Sequence, residues 1–104
     1  MKSRLVPSAK EDVRRLSKYY DSVRFSFGDV FSDRVTEFVQ RIQLNPQLYG
    51  QVKRAPHGRD VREGKLEQFE TVVTYEMRAD AIVILAITDG KRNRRPWRSR
   101  LTEI

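Results

Sequence analysis

Two helical stripes come first along the chain, and strand-like stretches follow. A short β-like start at residues 2–6 is closed by Pro7. Val13, Leu16, Tyr20 and Val23 then recur at steps of three, four and three. That spacing places them on one face of a helix of about four turns. Ser8, with Glu11 three positions later, carries the capping-box signature of its start. Asp12, Arg14, Arg15 and Lys18 fall on the other, polar face. A second stripe, Phe31, Val35, Phe38 and Ile42, is widened by Val30 and Val39. Asn45-Pro46 stops it, because the residue before proline avoids helical angles. Gly28 is the only breaker between the two, so the pair reads as a tightly linked helical hairpin.

Residues 50–58, with Pro56 and Gly58, read as loop, and 61–68 as a weakly patterned polar strand. Phe69, Thr71, Val73, Tyr75 and Met77 alternate with Glu70, Val72, Thr74 and Glu76, the period of a half-buried strand. Arg78, Ala79 and Asp80 make a turn, and residues 81–87 are apolar on both faces, as in a central strand. Asp89-Gly90 ends it. The expected fold is therefore α+β: an N-terminal strand and a helical hairpin packed on a small antiparallel sheet, as one domain over 1–104.

Composition narrows the chemistry. The absence of cysteine among the 104 residues removes disulfides, thiol nucleophiles and thiolate metal sites. The run 81–87 falls far short of the roughly 20 apolar residues of a membrane span, and the first seven residues lack a signal-peptide core. A cytoplasmic protein without cofactor, metal or membrane contact is expected. The net charge of +7 is uneven: Lys91, Arg92, Arg94, Arg95, Arg98 and Arg100 crowd together, with no acid between Asp89 and Glu103. Such a cluster attracts a polyanion or an acidic protein. Trp97 in its midst argues against a free tail, since a solvated basic tail gains little from a large aromatic. Either it folds back on the sheet or it anchors a partner.

The ordered set Ala9, Asp12-Val13, Tyr19-Tyr20, Phe31, Ile42-Gln43-Leu44-Asn45-Pro46 and Tyr49, then Tyr75, the strand 82–87, Arg92, Trp97 and Arg98-Ser99-Arg100-Leu101, resembles the RelE/ParE toxins of bacterial toxin–antitoxin pairs. The likeness covers about residues 6–101 and is nearer the ParE and plasmid-stabilisation branch. It implies a β-α-α-β-β-β fold and a growth-inhibiting toxin of a type II module, silenced by a cognate antitoxin on a separate chain. ParE-like members poison DNA gyrase; RelE-like members cut messenger RNA on the ribosome. An inactive binding relative is the third expectation. A homodimer and a heterotetramer with the antitoxin are both open.

Messenger cleavage without metal needs a base, an acid and cations. Arg62, Lys65, Arg78 and Arg92 are the candidate catalytic cations. Arg62 and Lys65 differ in parity, so only a bulge near Gly64 would bring them to one face. Acid and base are less evident: His57 is the lone histidine, in a Pro/Gly loop, and Glu63, Glu67 and Glu70 are candidates only by number. Where many relatives carry histidine after the apolar strand, this chain has Asp89, and no tyrosine follows Tyr75. Both features weaken the messenger-cleaving reading. The candidate target- and partner-binding residues are Arg59, Arg62, Tyr75, Arg92, Arg94, Arg95, Trp97, Arg98 and Arg100. Tyr75 is at least as well placed for the core, with its hydroxyl at the rim.

Overall fold

The computed structural model describes residues 1–89 and 96–103. Strand β1 (Lys2–Leu5) leads into helix α1 (Pro7–Val23), and helix α2 (Phe27–Leu44) follows. Strands β2 (Asp60–Lys65), β3 (Thr71–Met77) and β4 (Ala81–Asp89) complete the sheet, and a 3₁₀ turn spans Pro96–Arg100. The sheet order is β1-β4-β3-β2. The meander β2-β3-β4 is antiparallel, whereas β1 runs parallel to β4 and pairs Lys2 with Ala81 through Leu5 with Ile84. The sheet is thus mixed at its first strand. The helical hairpin between β1 and the meander supplies the crossover that a parallel pair requires.

The stripe of α2 behaves as its spacing predicts: Phe31, Val35, Phe38 and Ile42 are all buried. Residues 82–87 are buried on both faces, as expected of the central strand. In α1 the stripe holds at Val13, Leu16 and Tyr20, which pack against the core, but Val23 is exposed at the hairpin tip. Gly28 is not in the link. It sits in the first turn of α2, its N–H on the Asp21 carboxylate at 2.8 Å. A Cβ there would lie 2.4 Å from the Ser17 carbonyl oxygen, so the helices touch backbone to backbone.

Two expectations for α1 fail, for one reason. Ser8 and Glu11 form no capping box; Glu11 instead pairs with Arg14. The Ser8 N–H and hydroxyl both donate to Glu103, at 2.7 and 2.8 Å. The cap comes from the far end of the chain. Asp12, expected in water, is 1% exposed, because the same C-terminal segment lies against it.

The outer side of β3 is likewise covered: Thr74 and Glu76 are each 2% exposed. Between the pairs Thr74–Ala86 and Tyr75–Ile84, Leu85 has no partner across the ladder, a one-residue bulge in β4. Along β2 the register stays regular through Gly64, so no bulge brings Arg62 and Lys65 to one face. Gly64 serves another purpose: the Tyr49 ring lies on it, and a Cβ would come within 2.6 Å of that ring.

Candidate functional site

Among the described residues, four of the basic side chains singled out by sequence, Arg59, Arg62, Arg78 and Arg100, are fastened to carboxylates of the fold. Glu76, midway along β3, is the first anchor. Arg59, just before β2, grips it with two nitrogens, and Arg78, just after β3, donates to it at 2.8 Å. Both guanidiniums also donate to the Leu101 carbonyl, at 3.3 and 2.9 Å. Burial would push the Glu76 carboxyl up, but the hydrogen bonds and charges of Arg59 and Arg78 overcome this and hold it below the usual carboxylate range. Arg59 is correspondingly held above the usual arginine value by Glu76. An ionised, doubly clamped carboxylate has no proton to give at neutral pH.

Asp12 is the second anchor. It accepts from Arg100 at 2.5 Å, from Arg15 at 3.1 Å and from the Ile87 N–H at 3.0 Å. Arg100 donates in turn to the Leu85 carbonyl at 3.1 Å. These backbone groups belong to the bulged stretch of β4, past the end of β1, where no strand continues the ladder. A buried N–H or C=O without a partner is costly, and the Asp12–Arg100 pair supplies both. A cleft of about 410 Å³ opens beside the pair, between α1, the end of β4 and Pro96.

Arg62 faces the helix side of β2. It donates to Asp60 at 3.0 Å and to the Tyr49 carbonyl at 2.8 Å. Tyr49 stacks on Phe38 with centroids 4.9 Å apart. Tyr75 is fully buried, and its hydroxyl donates to the Pro46 carbonyl at 2.8 Å. Burial raises its pKa, so it is neither a ready base nor exposed. Trp97 is 3% exposed within the core cluster, covered by the Arg98 guanidinium at 4.9 Å from its ring. Arg98 donates to the Arg54 carbonyl at 2.7 Å. Lys65 is exposed, its ammonium 4.0 Å from Glu70. His57, Glu63 and Glu67 are exposed as well. Arg92, Arg94 and Arg95 lie outside the described residues.

The fold therefore brings Arg59 and Arg78 together, on Glu76, and keeps Arg62 and Lys65 on opposite faces. Sequence reasoning missed Asp12, Glu76 and Glu103. Asp12 did carry a signal: it stands three after Ala9 and four before Leu16, inside the apolar stripe rather than opposite it. Glu76 and Arg78, two apart, share a strand face. Glu103 carried none, since nothing local links it to Ser8.

Two helices after an N-terminal strand, followed by a meander, form the fold seen in a chain of the structure titled "Chromosomal ParDE TA system from P. aeruginosa". The two chains superpose with a TM-score of 0.68 at 21% identity, over 86% of this chain and 95% of that one. No curated protein sequence matches. The family model of the ParE toxin of the type II toxin–antitoxin system parDE matches residues 4–94. The chain belongs to the ParE toxin family, and membership implies an antitoxin partner. Among the described residues no helix is long and apolar enough to cross a membrane.

Proposed function

We propose that this toxin arrests growth by binding DNA gyrase in the cytoplasm, not by cutting messenger RNA, and that a separate antitoxin chain silences it. The observation that carries the reading is the fate of its arginines. Arg59 and Arg78 hold Glu76, Arg62 holds Asp60 and the Tyr49 carbonyl, and Arg100 holds Asp12. Cations committed to buried or half-buried carboxylates stabilise a fold; they do not follow a phosphodiester through its transition state. Beside these arginines neither acid nor base is on offer: Glu76 is held ionised, and Tyr75 is buried on a carbonyl.

Contact with the target then falls to the basic C-terminal run of the sequence. Arg98 is exposed, and Arg92, Arg94 and Arg95 adjoin it in sequence. Arg59, Arg62, Tyr75, Trp97 and Arg100 act as the frame that presents them.

The test is a supercoiling assay with purified toxin and gyrase, scored also for trapped cleaved DNA. Inhibition by the wild type, abolished in a folded R94E/R95E variant, is the expected result. Cleavage of translated messages on pure ribosomes, with gyrase untouched, would overturn it.

A further inference from the structure

The loop before β2 and the C-terminal segment are far apart in sequence but lie side by side. Two bonds join them: Arg98 to the Arg54 carbonyl at 2.7 Å, and Arg59 to the Leu101 carbonyl at 3.3 Å. Neither stretch, 51–59 or 96–101, contains an acid. Arg59 and Arg100 are neutralised by Glu76 and Asp12. Lys53, Arg54 and Arg98 are exposed, and among the described residues none of them pairs with a carboxylate. Arg54 is moreover held at φ 62°, a left-handed conformation that arginine seldom adopts. Strain of this kind persists where the surroundings over-determine it.

We propose that Lys53, Arg54 and Arg98 form a surface that grips the phosphate backbone of duplex DNA. The observations separate this partner from two others. An acidic protein partner calls for a buried aromatic or aliphatic anchor at the centre of its interface. The large exposed apolar residues are Met1, Tyr19, Val23, Phe25, Leu44 and Leu48, and none lies in either stretch. Single-stranded nucleic acid is held by stacking bases on aromatic faces. Of the two aromatic rings here, Trp97 is buried and already covered by Arg98, which leaves the single imidazole of His57 and no platform for successive bases. Cations without anchor or stacking platform suit a duplex, read through its backbone charge alone.

This goes beyond the gyrase reading and does not need it, because DNA alone is the probe. It would let a toxin directed at a DNA-bound enzyme hold the DNA beside it.

The experiment is fluorescence anisotropy of a labelled random-sequence duplex with the full chain, titrated at several salt concentrations. The variant is K53Q/R54N; asparagine tolerates the left-handed backbone, and Arg98 keeps its bond to a main-chain carbonyl. Two lost phosphate contacts should flatten the salt slope by about 1.8. Raising salt from about 50 to about 200 mM then costs the wild type about twelve times more affinity than it costs the variant. R98Q, a second variant on the other segment, should flatten the slope by about 0.9. Parallel slopes for the wild type and both variants would overturn the proposal. So would the absence of duplex binding by the wild type, tighter binding of a single strand than of the duplex, or equal binding of polyglutamate. Gyrase inhibition without DNA binding would sink this proposal and leave the target reading standing.

Discussion

The two sides of the sheet are held by different physics. On the helix side, Phe31, Phe38 and Ile42 of α2 meet Tyr75 and the apolar faces of β3 and β4, and aromatic contacts run from Tyr20 through Phe31 to Phe69. On the other, Trp97 is buried in the core cluster and the rest of the C-terminal segment is clipped to the body by charged side chains: Arg100 on Asp12, Leu101 under Arg59 and Arg78, Glu103 on Ser8. Apolar packing is non-directional and tolerant of exchange, whereas ion pairs at buried carboxylates fail sharply when one partner is removed. Of the cations that would suggest a nuclease, Arg78 is a fastener of this second side, and Arg62 is tied down on the helix side.

The strongest way to break the comparison is to remove one element from each side. Glu76→Ala leaves two guanidiniums without their carboxylate and should cost about 3–5 kcal/mol in denaturant unfolding. Phe38→Ala should cost a similar amount, about 3–5 kcal/mol, by opening a cavity. The two differ in what is lost first. Trypsin should cut at Arg98 and Arg100 in the Glu76 variant while the helices remain intact by circular dichroism. In the Phe38 variant, cutting should follow global unfolding.

Gly64→Ala is a smaller perturbation. Its Cβ meets the Tyr49 ring, so overpacking of about 1–3 kcal/mol is expected, and near-ultraviolet dichroism should report the displaced ring. Smaller again is Ser8→Ala, which removes the hydroxyl bond to Glu103 and should cost about 1 kcal/mol. Glu11→Ala should move the unfolding midpoint less than Ser8→Ala does, because Glu11 caps nothing and its pair with Arg14 is solvent-exposed. A large loss there, with none at Ser8, would restore the local capping box and break the assignment to Glu103.

This contrast also explains what could be read from the residues alone. Phe31, Val35, Phe38 and Ile42, and the run 82–87, declare themselves because burial follows a period of 3.6 or covers both faces of a strand. The parallel placement of β1 had no signal, since four residues pair with β4 across the whole hairpin. Val23 extended its stripe correctly in period but ran past the sheet it was to cover. On the charged side each contact joins single residues far apart in the chain: Asp12 to Arg100, Ser8 to Glu103, Arg59 to Glu76. No periodicity marks such pairs. The arginines were therefore legible as important but not as structural, and their carboxylate partners passed for solvated surface.

The central claim is that these arginines fasten the C-terminal segment to the fold. Glu76 offers the sharpest handle. Its pKa in the folded protein lies below the ordinary value of about 4.3. The stability it contributes is thus fully present above that ordinary value and is lost as pH falls through the depressed folded one. The decisive measurement is native-state hydrogen exchange from neutral to acid pH. It would compare the Glu103 amide, bonded to the Arg100 carbonyl, with the ladder amides of β3. The account predicts that the Glu103 amide opens locally, at a free energy that shrinks as pH drops, while β3 still exchanges only by global unfolding. Equal opening free energies for both groups at every pH would contradict it and return the arginines to the search for a reactive site.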